Sequence, residues 1–169
     1  LRSDWDTAGP SVPGLSPQEA NERLKKFQQV YAVAERKYVT YSAGEELFGL
    51  PPTEYPELVK TKKEIDLLDK LYTLYITVNE SVDGWRDMAW TDVGTEIPGI
   101  LQRIQEFQGM CTKMPKDLRQ WDAYQDLKHI IDEFSESLPL VQQLAHPAMR
   151  SRHWQALMDV TGEHLPVGT

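Results

Sequence analysis

The feature that most constrains this chain is the run of apolar residues Ala20, Leu24, Phe27, Tyr31, Ala34, Tyr38 and Tyr41. They stand alternately four and three residues apart, the heptad rhythm that lays one narrow apolar seam along a helix and turns it toward a partner helix. Ser16 ahead of the run offers an N-cap hydroxyl, Pro17 suits a first turn, and Glu19 stands where a capping box places its acid. Gly49 and the Pro51-Pro52 pair cannot continue a helix, so this one is expected to end near Phe48.

Helical spacing recurs to the end of the chain. Pro56 and Glu57 open a second helix with two neighbouring stripes, one through Leu58, Ile65, Leu68, Tyr72, Tyr75 and Val82, the other through Leu67, Leu71, Leu74, Val78 and Trp85. So wide an apolar arc predicts a central helix packed on two sides. Gly94 is the expected stop, with Thr95 capping a third helix that keeps Pro98 in its first turn and carries Ile97, Ile100, Leu101, Ile104, Phe107 and Cys111. A fourth runs through Leu118, Trp121, Tyr124, Leu127, Ile131, Phe134 and Leu138, and Pro139 restarts the chain as a short turn of Leu140, Val141 and Leu144. Pro147 then opens a last helix, Ala148 to about Val160, closed by Gly162.

No segment alternates with period two, so the expected class is all-α. Helices of thirty-odd residues at about 1.5 Å each span roughly 45 to 55 Å. A compact chain of this length is only about 40 Å across. The expectation is an elongated bundle of about five to six helices, the two long ones in antiparallel contact. Residues 1–17 hold Gly9, Pro10, Pro13, Gly14 and Pro17 among few apolar residues, which predicts a flexible linker without helix or strand. Residues 18–146 then form the bundle.

A formal net charge of −8 argues against a nucleic-acid partner, which would call for clustered Lys and Arg. No apolar run approaches the roughly 20 residues that cross a bilayer, so no membrane partner is expected. Cys111 is the only cysteine, which excludes an intramolecular disulfide and fits a reducing compartment, the cytosol being the simplest. The chain begins at Leu1 without a basic and apolar leader, which suggests an excised segment.

Catalytic chemistry is not written into the sequence. None of the ten glycines stands in a GxxxxGK[ST] or GxGxxG frame, and no GxSxG elbow is present. Cys111 occupies an apolar helical position and is expected to be packed and inert. A metal site in a bundle needs a carboxylate-x-x-His motif from each of two helices, but Asp126-x-x-His129 stands alone. His129 is instead expected to pair with Glu133 on the surface, as Lys60 is with Glu64 and Asp66 with Lys70. No cofactor is therefore expected. Of the five tryptophans, Trp121 is expected in the core, and Trp85 and Trp90 suit either core or docking.

The densest constellation is Met149, Arg150, Ser151, Arg152, His153 and Trp154. On a helix Met149, His153 or Trp154, and Leu157 share a face, and Arg150 and Arg152 are left to grip a carboxylate or stack on an aromatic ring. Met149, Arg150, Arg152, His153 and Trp154 are the candidate inter-domain contact. The alternative is a helix that merely completes the bundle.

These residues also carry a family resemblance. Leu138-Pro139-Leu140-Val141, Leu144 and Ala148 to Trp154 resemble the Arg-His-Trp segment near the start of the linker in dynein heavy chains. Phe48-Gly49-Leu50-Pro51, Tyr55 to Leu58, Ile65 to Tyr72, Met114-Pro115-Lys116 and Trp121 to Tyr124 are similar to the helices preceding it, and the stretch from Phe48 to Tyr75 most resembles outer-arm axonemal chains of the gamma type. The likeness covers Ser16 to Leu165 and makes residues 147–169 the start of a linker-type helix. It implies a non-catalytic, mechanical segment joining a tail that binds cargo or the axonemal doublet to a linker that swings over an ATPase ring. Its partners would be the rest of the heavy chain, intermediate and light chains and, indirectly, the microtubule doublet. Its location would be the axoneme of a cilium or flagellum, and ATP and magnesium would act elsewhere in the parent motor. A generic helical scaffold of spectrin or coiled-coil type is the alternative, although no repeat of fixed period is present.

Overall fold

The computed structural model describes residues 2–12 and 14–163, with the backbone alone at Thr91. Among the described residues there are six α-helices: α1 (Arg2–Ala8), α2 (Pro17–Leu47), α3 (Pro56–Arg86), α4 (Trp90–Lys113), α5 (Asp122–Leu144) and α6 (Ser151–Thr161). A short 3-10 helix, Lys116–Gln120, precedes α5, and there is no strand among the described residues. The all-α expectation holds.

The start of α2 is set by the capping box: Glu19 N–H donates to the Ser16 hydroxyl, and Ser16 N–H donates back to the Glu19 carboxylate. Those bonds hold the Glu19 carboxyl below its usual range. At its other end Gly49, with φ 64°, provides the left-handed turn that lets the chain leave the helix. Both α2 and α3 are 31 residues long, about 46 Å at 1.5 Å per residue.

The two long helices are antiparallel. Gln28 Nε2 donates to Asp69 at 3.0 Å, Lys62 lies over the Tyr31 ring, and Tyr38 meets Tyr55 edge to face. Partner numbers in α3 fall as those in α2 rise. The same descending order pairs α4 with α5, from Gly94 against Ala145 to Gln108 with Asp132 and the Cys111 carbonyl with the Tyr124 hydroxyl. That register sets Pro98 and Pro139 at nearly the same height on facing helices.

Helix α3 belongs to the first pair and also packs against the second. Its first half lies along α2, where Asp69 meets Gln28, and near its end Trp85 meets Phe107 of α4 and Phe134 of α5, with Ile65, Leu68, Leu71, Tyr72, Val78 and Val82 buried along its length. The wide arc read from the sequence is thus used on two sides. Trp85 is half-buried and takes part in this packing, its ring centroid 5.2 Å from that of Phe134.

Within residues 1–17, the described residues 2–12 depart from the expected linker. Residues Arg2–Ala8 form helix α1, lying along α2 and α3. Trp5 is 2% exposed and stands edge-on to Phe27 at 5.3 Å, and the buried Tyr72 hydroxyl donates to the Pro10 carbonyl at 3.0 Å. Arg2 forks onto Glu64, with its shorter contact 2.6 Å, so Glu64 pairs with Arg2 rather than serving the Lys60 expected from spacing. Composition missed this because one large aromatic side chain outweighs the propensity of a short polar segment.

Two helix boundaries also differ. Gly94 does not stop a helix; it lies inside α4, where a Cβ would come 3.5 Å from the Ala145 carbonyl oxygen, and the buried seam runs back past it from Ile97 to Val93. The chain breaks instead at residues 87–89, where Ala89 is extended and no glycine or proline marks the place. Pro139 does not restart the chain either. Helix α5 continues through it to Leu144 because Leu138, Val141 and Leu144 keep one face covered, which offsets the bond lost from the Ser135 carbonyl.

Replacing Trp5 by Ala is expected to destabilise the chain by about 3–5 kcal/mol in urea unfolding, as for other fully buried aromatic residues. A cost near zero would restore the linker reading of this segment.

Candidate inter-domain contact

Helix α6 is the most loosely held element. It contains no buried residue. Its start is set by His153, whose Nδ1 accepts the Arg150 backbone N–H at 3.0 Å, while Gly162, at φ 72°, ends it by donating to the Met158 carbonyl. The helix therefore begins at Ser151, and Met149 and Arg150 precede it, where the sequence suggested a start at Ala148.

The five candidate residues divide between two sides. Met149 and His153 border an open apolar groove with Leu144, Ala156, Leu157 and Val160, as the shared-face reading required. Trp154 turns away from them and meets Trp90, the first residue of α4, edge to face at 5.6 Å. Trp154 is half-buried and Trp90 is 42% exposed, so this pair is a surface clasp rather than core. Arg150 and Arg152 are exposed, with Arg152 Nε 3.1 Å from the His153 ring. Two exposed guanidinium groups beside an apolar face can bind a carboxylate-bearing apolar surface.

Elsewhere the side chains are arranged for packing. His129 pairs with Glu133 at 3.1 Å, both exposed, as the spacing indicated. Among the described residues no group of three or more His, Cys, Asp or Glu side chains gathers as metal ligands would, and no helix is long and apolar enough to cross a membrane. Cys111 is buried in the α4–α5 interface, and burial, with the Asp132 carboxylate adding to it, pushes its thiol up from 9.0 to about 11. Sequence reasoning missed the Trp90–Trp154 clasp; the wide separation of the two residues in the chain left no spacing signal.

Comparison with known proteins gives these helices a family. Residues 58–168 match the model of the dynein heavy chain N-terminal region 2. The chain is 51% identical to the gamma chain of the flagellar outer arm dynein of Chlamydomonas reinhardtii, over 98% of its own length. The chain belongs to the dynein heavy chain family. It is also 47% identical, over 98% of its length, to dynein axonemal heavy chain 5 of Rattus norvegicus, and 49% identical, over 94%, to dynein axonemal heavy chain 8 of Mus musculus. It spans 4%, 5% and 3% of these three relatives, so it corresponds to a small segment of a heavy chain. The matched residues begin at Leu58, in the first turn of α3, so α1 and α2 precede them.

Two outcomes follow for this dynein segment. Trp154→Ala should cost about 1–2 kcal/mol in urea unfolding, less than the 3–5 of a fully buried tryptophan, with a coupling to Trp90→Ala of about 0.5–1.5 kcal/mol in a double-mutant cycle. Because the folded Cys111 thiol binds its proton more tightly than the unfolded one, its contribution to stability is complete below the ordinary 9.0 and is lost as pH rises toward about 11. A Cys111→Ala variant should lack that part of the alkaline decline in unfolding midpoint.

Proposed function

We propose that this segment is a non-catalytic strut of an axonemal dynein heavy chain, transmitting force between the tail and the linker of an ATP-driven microtubule motor. The carrying observation is α3: one uninterrupted helix of about 46 Å is packed into both helix pairs, so a load on one pair reaches the other without a loop between them. The relatives are named as flagellar outer-arm and axonemal chains, which supports a place in the cytoskeleton of a cilium or flagellum. Nucleotide and magnesium belong, on this reading, to other parts of the heavy chain. Intermediate and light chains are partners of the assembled motor, and the doublet is reached through them and the tail.

Within the strut, Met149, Arg150, Arg152, His153 and Trp154 form the contact to the part of the heavy chain that follows. Trp154 ties α6 to the strut, and the two arginines and the Met149–Leu157 face meet the neighbour. Replacing Arg150 and Arg152 together by Ala in the heavy chain should lower microtubule gliding velocity several-fold while ATP turnover stays within about two-fold. The same pair of changes should alter the stability of the 169-residue chain by no more than about 0.5 kcal/mol. Unchanged gliding would sink the contact, and measurable ATP affinity in the 169-residue chain would sink the non-catalytic reading.

A further inference from the structure

The heptad seam of α2 is only half used. Ala20, Leu24 and Tyr31 are buried, but Tyr38 and Tyr41 are not, and Tyr41 is 59% exposed. Beyond Tyr31 the space between α2 and α3 is an open groove of about 390 Å³ lined by Ala34, Tyr38, Tyr41, Tyr55 and Leu58, with Arg2 at one mouth.

The groove is the continuation of the place where α1 lies. Going back along α1, Pro10 meets Tyr72, Trp5 meets Phe27, and Arg2 meets Glu64 and Thr61, so α1 runs antiparallel to α2 and parallel to α3. The next contacts in that direction are Ala34, Tyr38 and Tyr41 on one wall and Leu58 and Tyr55 on the other. We propose that in the heavy chain α1 is longer than its seven described residues, and that the residues on the N-terminal side of Arg2 continue it as an amphipathic helix filling this groove. From Tyr31 to Tyr41 is ten residues of α2, about 15 Å, so about ten further residues, three turns, cover it.

Three observations select this occupant over a separate molecule. The groove is continuous with an interface this chain already makes. It opens at the end of α1, so the ordering cost is that of extending a formed helix rather than nucleating one. Its rims also carry opposite charges, Lys37 on the α2 side and Glu54 and Glu57 on the α3 side, and Arg2 already reaches Glu57 at 3.9 Å and Glu64. The filling helix should therefore place apolar residues three and four apart in line with Trp5, an acid toward Lys37 and a base toward Glu54. This proposal rests on membership of the heavy chain family and not on the role of α6, so the two can fail separately.

The test compares the 169-residue chain with the same chain carrying about fourteen more residues of the parent heavy chain at its N-terminus, by hydrogen exchange and hydroxyl-radical labelling. The added amides should exchange at least about ten-fold more slowly than in a free peptide, and labelling of Tyr41 should fall at least about three-fold. Tyr41→Glu in the longer chain should return the added amides to the free-peptide rate, with Trp5 still protected. Added residues exchanging as a free peptide, or equal labelling of Tyr41 in both chains, would overturn the proposal. So would protection of Tyr41 in the shorter chain that grows with concentration alongside dimer in sedimentation, since a second copy would then be the occupant.

Discussion

Everything in this segment leans on the two-sided burial of α3. A helix with one apolar stripe needs one partner; α3 has a stripe and a neighbour stripe, and the buried Ile65 and Leu74, about 180° apart around the helix, show how much of its circumference is covered. That requirement places α2 on one flank and the α4–α5 pair on the other. The two flanks overlap along the helix, since Asp69 accepts a hydrogen bond from Gln28 of α2 and also borders a groove with Arg103 and Met110 of α4. At about 25 cal/mol per Å² of apolar surface, such a spine contributes far more than the surface ion pairs of the bundle, each worth under about 1 kcal/mol.

The buried polar groups fit that picture. The Thr61 hydroxyl is buried and donates to the Glu57 carbonyl one turn back, the Tyr72 hydroxyl to Pro10, and the Tyr124 hydroxyl to Cys111. Among the described residues no buried side-chain nitrogen or oxygen is left without a hydrogen-bond partner. Groups held so completely suit a stiff part.

What the sequence made legible was whatever local periodicity and capping control. The start of α2 at Ser16 and Pro17, its end before Gly49, the start of α3 at Pro56 and the αL stop at Gly162 were all visible, since each depends on residues within one turn. What stayed hidden depends on partners distant in the chain. Trp5 is core only because Phe27 and α3 receive it, Gly94 is helical because Ala145 approaches it closely, and Pro139 is tolerated because the face of α5 stays packed past it. For the candidate contact, the grouping of Met149, His153 and Leu157 could be read from spacing. The turning of Trp154 toward Trp90 could not.

The two prolines inside the α4–α5 pair have a mechanical consequence. Pro98 leaves the Gly94 carbonyl, and Pro139 the Ser135 carbonyl, without the usual helical amide, and the pairing register sets the prolines side by side. Bending stiffness is therefore lowest at that height, in both helices at once, whereas the stretch around Phe107 and Ile131 keeps every rung. A rod thinned on both sides at one level flexes there before it flexes anywhere else, so under load the end bearing α6 yields as a unit and the spine stays straight.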